Sequence, residues 1–303
     1  MNPPEENLKL SVLIVCYEMP TQIANTIQSA LPPYQRNIAL SDYEIVLIDN
    51  GSKEMLGEGL RKISPNLKYI YIPPEAAAPN PASALNNAAA NTRAERLCLM
   101  IDGARMLTPG VLSWGIRLLG LCPQAIAEVR GWHLGPKWQP ESVTEGYGPA
   151  EERRLLEALN WPQNGYRLWE VSAATPQTRH GFSSRTAESN CIFMSRDLFS
   201  RIGGFDERSR AAGGGFTNLE FFSRAVAAAD PVFTILGEGT FHQEHGGAAT
   251  GLPKNALQDA LREWQLESAK LGHVIAPHYE FILAGHMPPE CAAWLAQNCG
   301  SLS

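Results

Sequence analysis

The chain has 303 residues, of which 44% are hydrophobic and 18% charged, and this is ordinary usage for a folded globular protein. This length supports one large core with appendages, which needs neither disulfides nor a structural metal to stay folded. The formal net charge of -6, with no basic stripe along the sequence, argues against a nucleic-acid partner.

Cysteine spacing and the N-terminal sequence indicate the cellular compartment. The six cysteines form no CxxC pair and no zinc-ligand spacing, so we expect reduced thiols. The opening MNPPEENLKL is acidic and polar where a signal peptide would be basic and then apolar, and no run approaches the roughly 20 apolar residues of a membrane span. We therefore expect a cytoplasmic protein. The sequence is compatible with peripheral membrane contact and does not predict an oligomeric state.

The first part of the chain alternates apolar runs with helical segments. Short runs rich in β-branched residues predict buried strands, and the segments between them have helical periodicity. Strands that alternate with helices indicate an α/β fold, with a mostly parallel sheet and helices on both faces. The predicted strands are residues 10–17, 43–52, 67–73 and 96–102, and the predicted helices are residues 21–30 and 81–93.

The second part is less regular. A helix is predicted over residues 111–121, after which residues 131–185 lose clear periodicity and gain Gly, Pro and Trp, apart from a charged helix near 151–159. Order returns at 189–207 as strand, helix and turn. A glycine-rich loop then leads to a helix capped by Thr217 or Asn218, a strand and a histidine-bearing loop. Residues 255–272 form an amphipathic helix.

Polar residues follow the predicted strands of the first part. Such residues are Cys16-Tyr17-Glu18 after the first strand, Asp49-Asn50 after the second and Asp102 after the fourth. Ligands of parallel sheets bind in the crevice outside the carboxyl ends of the strands. We therefore expect these residues to meet at one edge of the sheet.

Four motifs, in this order and spacing, resemble the family 2 glycosyltransferases, which have a GT-A fold. They are VLIVCYE, the turn Asp49-Asn50-Gly51-Ser52, Asn87 ahead of Asp102, and NCIFMSRDLFSRIGGFDE. The resemblance covers about residues 10–247. It implies a glycosyltransferase domain over 1–250, with a donor-binding half at 10–110 and an acceptor-side half at 111–250. A helical C-terminal extension at 251–303 follows.

The resemblance implies a nucleotide-sugar site, with a UDP- or GDP-sugar as donor and a hydroxyl group of a glycan or lipid-linked acceptor, as in polysaccharide biosynthesis. A carboxylate that accepts a base imide N–H makes a charge-assisted hydrogen bond, although the Asp49 turn could equally be only a turn. The residues implied at the donor are Cys16, Tyr17, Glu18, Asp49, Asn87, Asp102, Gly103 and Arg105.

The family's Asp-x-Asp signature reads Asp102-Gly103-Ala104-Arg105 here, so one ordinary ligand for a hard cation is lost. His242 and His245 could complete a site for Mn²⁺ or Mg²⁺ with Asp102, and such a site would weaken as pH falls through about 6.5. Alternatively, Arg105 could neutralise the leaving diphosphate directly. Arg208 and Arg210 offer a further, more surface-like source of positive charge.

The general base is open between two glutamates. Inverting members of the family place an acidic pair before a helix and a second acid two residues on, and this chain has Thr217-Asn218 at the pair and Glu220 at the second acid. Asparagine cannot act as a base near neutral pH, so Glu220 is the first candidate. A capping role beside Thr217 is its alternative, and Glu188 is the second candidate base.

Three functions remain on this basis. The first is an inverting transferase of the hexosyltransferase type, and the second is a degenerate GT-A domain that binds nucleotide or glycan without transfer. A nucleotidyltransferase shares the sheet, but the chain lacks a glycine-rich, lysine-bearing phosphate loop after the first strand. Sugar stacking or core packing would suit the tryptophans of the irregular region, which are Trp132, Trp138, Trp161 and Trp169.

Overall fold

The computed structural model describes residues 8–56, 59–246, 254–275 and 278–299. Its strands are β1 (Leu10–Cys16), β2 (Tyr43–Asn50), β3 (Leu67–Ile72), β4 (Arg96–Met100), β5 (Arg105–Leu107), β6 (Ile126–Leu134), β7 (Ser172–Ala173), β8 (Ile192–Ser195), β9 (Val232–His242) and β10 (Ile282–Gly285). Its α-helices are α1 (Pro20–Ser29), α2 (Ala82–Ala90), α3 (Val111–Leu121), α4 (Gln139–Thr144), α5 (Pro149–Leu159), α6 (Arg196–Arg201), α7 (Gly215–Ala228), α8 (Lys254–Leu271) and α9 (Pro289–Asn298). Short 3-10 helices cover Leu40–Asp42, Leu60–Lys62 and Gly165–Val171.

One mixed sheet organises these elements, in the strand order β10-β9-β6-β8-β4-β1-β2-β3. Strands β1 to β4 are parallel to their neighbours in this set, whereas β8 runs antiparallel to both β4 and β6. Strand β9 is parallel to β6 and β10, and the short β5 and β7 pair antiparallel with β9 and β6. The predicted α/β architecture with a mostly parallel sheet is confirmed.

Strand β1 shows why the sheet is covered on both faces. All seven of its residues are buried, as expected for a strand with helices on both sides. Val12 and Ile14 belong to a cluster that includes residues of α1 and α3, whereas Leu13 and Val15 belong to a second cluster with residues of α2 and α7. Because helices cover both faces of the sheet, its polar groups at this place lie at the carboxyl ends of β1, β2 and β4.

A third apolar cluster accounts for most tryptophans of the irregular region. Trp132, Trp161 and Trp169 are buried there together with Trp294 of α9, and Trp132 makes edge contacts to both Trp169 and Trp294. Core packing is thus the role of these three side chains. Trp138, the fourth tryptophan considered for sugar stacking, lines the main cavity described below.

Two helix starts differ from the predictions. Helix α1 begins at Pro20 rather than Thr21, because proline fits the first helical turn, where its missing N–H is not needed. Helix α7 begins at Gly215 with Gly214 at the N-cap, so Thr217 and Asn218 lie inside the first turn and do not cap it.

The C-terminal segment is more than the predicted helical extension, because β10 lies between α8 and α9 and joins the central sheet beside β9. The predicted charged helix is confirmed as α5. None of the helices in the described residues is long and apolar enough to cross a membrane.

Candidate functional site

A cavity of about 1010 Å³ opens where β1, β2 and β4 end. Its walls come from the turns after these strands, the end of β9, the start of α7 and the inner side of α8. Several predicted site residues line it together, namely Cys16, Tyr17, Glu18, Asp102, Arg105, Glu188, His242 and His245. Asp49, Asn87, Gly103 and Glu220 are not among the lining residues.

The turns after β1 and β2 are bound to each other. The Glu18 N–H donates to Ser52 Oγ over 2.8 Å, and the Lys53 N–H donates to Glu18 Oε1 over 2.9 Å. Glu18 adopts a left-handed conformation with φ of 52°, and this reciprocal pair of hydrogen bonds offsets the strain. Tyr17, the residue before it, is left 55% exposed at the cavity.

Asp49 lies behind the donor-side turn rather than on the cavity wall. Its side chain is fully buried, with Oδ1 accepting from the Ser52 N–H at 3.2 Å and Oδ2 accepting from the Tyr69 hydroxyl at 2.9 Å. Asn50 and Gly51, the next two residues, line the cavity. Asp49 therefore fixes the turn that presents them.

Two other predicted donor residues also lie away from the cavity surface. Asn87 is exposed on α2, and its backbone carbonyl accepts from Asn91. Gly103 is a packing residue, because a Cβ at this position would lie 2.8 Å from the Val15 carbonyl oxygen and 2.9 Å from Cys16 Cβ. Its lack of a side chain lets the turn after β4 approach β1, and this positions Asp102.

Asp102 lies at the centre of a polar group of side chains that lines the cavity, here called the polar floor, which also includes Arg105, His242 and His245. Its Oδ1 accepts from the Ala104 N–H at 3.0 Å, and its Oδ2 lies 3.2 Å from Arg105 Nε and 3.0 Å from His242 Nε2. His245 Nε2 lies 4.0 Å from Oδ1 and 3.2 Å from His242 Nε2. One carboxylate thus faces two imidazoles and a guanidinium.

The pairing of β5 with β9 explains this arrangement. Arg105 is the register partner of His242, so the turn after β4 and the end of β9 meet side by side. His242 Nδ1 contacts Gln139 Oε1 at 2.5 Å, and the other ring nitrogen, Nε2, lies on the side of Asp102.

Burial determines the charge state of the floor. It lowers the pKa of His242 to about 4 against the opposing attraction of Asp102, so this ring is neutral near pH 7. Burial alone would raise the pKa of Asp102, but His242, which is protonated at the low pH where Asp102 titrates, and Arg105 hold it well below its usual range. Asp102 is therefore ionised, and Arg105 supplies the permanent positive charge beside it.

His133 is a cavity residue that the sequence analysis missed. It lies next to His242 in the β6–β9 register, their ring centroids are 5.3 Å apart, and its Nδ1 accepts from the Gln139 N–H at 3.1 Å. Burial lowers the pKa of His133 well below its usual range, so it too is neutral near pH 7. Only the strand pairing brings it to the site, and no local sequence signal marks that pairing.

Glu188 lies in the cavity and is held by two amides. Asn218 Nδ2 donates to its Oε2 at 3.0 Å, and Gln177 Nε2 approaches Oε1 at 3.5 Å. Burial and the charge of Asp102 raise the pKa of Glu188, whereas Arg105 and the Asn218 hydrogen bond lower it, and the net shift is upward. A carboxylate with a raised pKa in a cavity is a suitable proton acceptor.

Glu220 is buried in an ion-pair network instead. Both of its carboxylate oxygens accept from the Arg224 guanidinium, and His273 Nε2 lies 3.4 Å from Oε1. His273 also contacts Asp206 Oδ2 at 2.7 Å. The predicted capping of α7 by Thr217 with Glu220 is wrong, because the helix begins before Thr217 and Glu220 pairs with Arg224.

Arg208 and Arg210, which precede the glycine-rich loop, also make their contacts outside the main cavity. Arg208 pairs with Asp206, with its Nε 2.9 Å from Oδ1. Arg210 lines a smaller pocket beside α8, and its N–H donates to Glu267 Oε1 at 3.2 Å. Neither lines the main cavity, whereas Arg105 does.

The first third of the chain matches a known protein family. Residues 11–109 match the model of glycosyl transferase family 2, a span that runs from the second residue of β1 through β5 and includes Asp102. No protein of curated function matches the chain significantly. The family match supports the predicted glycosyltransferase class.

Solved structures extend the likeness to most of the fold. S. aureus TarS 1-349 in complex with UDP-GlcNAc aligns with a TM-score of 0.56 and 15% identity, over 86% of this chain and 66% of that chain. The mannosyltransferase PcManGT from Pyrobaculum calidifontis, in complex with GDP-Man and Mn²⁺, aligns with a TM-score of 0.51 and 13% identity, over 98% and 71%. The chain thus spans just under two thirds of the TarS 1-349 chains. At such identities the likeness concerns the fold, and the predicted GT-A fold is confirmed.

Proposed function

We propose that the protein transfers a sugar from a nucleotide-diphosphate sugar to a hydroxyl acceptor, with inversion at the anomeric carbon. The observation that carries this proposal is one cavity that joins an ionised Asp102 to a second carboxylate of raised pKa, Glu188. The first group would hold a cation that neutralises the donor diphosphate, and the second suits removal of a proton. Direct displacement needs this pair of functions at one site.

The nucleotide would bind at the ends of β1 and β2. Tyr17 and Asn50 line this part of the cavity, and Asp49 holds the Asn50-Gly51-Ser52 turn in place. Solved relatives in fold bind UDP-GlcNAc and GDP-Man, so a UDP- or GDP-sugar is the donor we propose here.

A divalent cation fits the floor of the cavity. The ligand atoms of Asp102, His242 and His245 lie within 4.8 Å of one another, and mixed oxygen and nitrogen ligands suit Mn²⁺ better than Mg²⁺. The Gln139 contact of His242 resembles the outer hydrogen bond that orients a metal-bound imidazole. A bound cation would neutralise the donor diphosphate, and Arg105 adds a fixed positive charge at the same place.

We assign the general base to Glu188. It would accept the proton of the acceptor hydroxyl as that oxygen attacks the anomeric carbon, while the bond to the diphosphate breaks and its electron pair leaves with the phosphate oxygen. The contacts of Asn218 and Gln177 orient the carboxylate for this step. Glu220 is less suited, because Arg224 occupies both of its oxygens.

A binding protein without transferase activity is the second candidate. The buried Ala104 stands where the family's second carboxylate would be, and Arg105 contacts Asp102 directly. If those contacts exclude a cation, the site would hold a nucleotide by Arg105 alone. The retention of Glu188 in the same cavity favours transfer.

A panel of nucleotide sugars separates these functions. A ligand that binds the native state raises the melting temperature by mass action, so a UDP- or GDP-sugar should raise it, and Mn²⁺ should enlarge the shift. Asp102→Asn should lose the metal-dependent part, whereas Asp259→Asn, a surface change on α8, should keep it. Release of nucleoside diphosphate then identifies transfer or hydrolysis, and a shift without any release would identify the binding protein.

A further inference from the structure

Helix α8 forms an apolar wall of the main cavity. Leu257, Leu261 and Trp264 line the cavity, and their spacing of four and three residues places them on one face of the helix. Leu261 remains 39% exposed there, although it is an aliphatic side chain on a cavity wall. Covering these side chains with an apolar group would remove hydrocarbon surface from water.

The wall is held in place by contacts to the core. The Trp264 indole lies against Gly215 at the start of α7, where a Cβ would come within 2.2 Å of the ring. Glu267 accepts the Arg210 N–H, and His273, just beyond α8, lies 2.7 Å from Asp206. The apolar face is therefore presented by a helix that is fixed to α7, the helix that carries Asn218 and positions Glu188.

The apolar wall continues into the polar floor of the same cavity. The lining includes Asp102, His242 and Glu188 as well as Trp138 and Pro140, so a single occupant would meet both kinds of surface. The strand ends and Asp102 suit a nucleoside diphosphate and a sugar, which are polar. The aliphatic side chains of Leu257 and Leu261 match neither the charged diphosphate nor the hydroxyl groups of such a donor.

We propose that this face binds an alkyl chain of the acceptor, so that the acceptor is a hydroxyl compound with an aliphatic substituent rather than a free saccharide. The assignment rests on the proposed function, because the acceptor hydroxyl must reach Glu188. It commits to an aliphatic group because two of the three side chains are leucines and the third presents an apolar indole beside them.

Binding of two simple glucosides tests the proposal without donor or turnover. Calorimetric titrations compare the binding of octyl β-D-glucoside and methyl β-D-glucoside to the protein. Octyl β-D-glucoside is used below its critical micelle concentration, so that it stays monomeric. Since a fully buried methylene contributes about fourfold in affinity, partial burial of the octyl chain should give at least about tenfold tighter binding than the methyl compound. Equal affinities would overturn the proposal.

Two variants on α8 locate the binding. Leu261→Gln should weaken octyl glucoside binding by about threefold to tenfold, because it replaces an apolar wall residue by a polar one. Leu266→Gln is the matched control, since Leu266 is 73% exposed and does not line the cavity. Equal effects of the two variants, or no effect of Leu261→Gln, would overturn the assignment. Octyl glucoside binding without donor binding would support the alkyl site and refute the transferase function. Donor binding without tighter binding of octyl glucoside would refute the alkyl site and leave the transferase function supported.

Discussion

The side-chain amide of Asn218 donates a hydrogen bond through Nδ2 to Oε2 of Glu188, over 3.0 Å. The two residues come from different parts of the chain, and the start of α7 brings them together. A hydrogen bond to the ionised form of a carboxylate stabilises that form and lowers its pKa. Asn218 thus limits the rise in pKa that burial gives to Glu188.

Asn218→Ala should move the pH dependence of turnover upward. Without the donated hydrogen bond the pKa of Glu188 rises further, so the carboxylate becomes ionised only at higher pH. Because a base must be ionised to accept a proton, turnover should fall at low pH and recover as pH rises. A pH profile of turnover measures this, and a uniform loss at every pH would indicate a merely structural role for Asn218.

Glu220→Gln should destabilise the protein while leaving turnover close to that of the parent. The change removes one partner of a buried pair with Arg224, a loss of about 1 to 3 kcal/mol after discounting for the partly exposed arginine. Urea unfolding measures the free energy, and initial rates measure turnover. A hundredfold loss of turnover with unchanged stability would return the role of base to Glu220.

Asp49→Ala should weaken nucleotide binding indirectly, because the buried carboxylate does not line the cavity but holds the turn that does. The carboxylate holds the Ser52 N–H and the Tyr69 hydroxyl, so its loss loosens the turn that lines the donor side. Tyr69→Phe, which deletes one of these contacts, should weaken binding less. Calorimetric titration of UDP and GDP gives both affinities, and unchanged affinity in Asp49→Ala would remove this residue from the donor site.

Single alanine variants of His242 and His245 should lose metal-dependent affinity for the nucleoside diphosphate, while His180→Ala, at an exposed histidine, should not. A ligating imidazole must be neutral. Because burial lowers the pKa of His242 to about 4, this ligand should stay available well below the pH of about 6.5 that an ordinary histidine sets. Binding of UDP and GDP is titrated with Mn²⁺ and with chelator across this pH range. If chelator does not change the affinity, Arg105 rather than a cation neutralises the diphosphate.

The sequence carries enough information for the sheet and for part of the site. Strand ends can be read from apolar runs that stop at polar turns, and this pattern marks Tyr17 and Asp102, which both line the cavity. The contact between Asn218 and Glu188 could not be found in this way, since it depends on α7 starting at Gly215 rather than at Thr217. His133 joins the site only through the pairing of β6 with β9, a long-range contact without local pattern.

Glu188→Gln, with turnover and donor affinity measured on the same preparation, tests the central claim most directly. Glutamine keeps an oxygen that can accept from Asn218 but cannot take a proton from an acceptor hydroxyl. The account predicts a loss of turnover of about a hundredfold or more, with donor affinity close to that of the parent. Near-normal transfer by Glu188→Gln would contradict it.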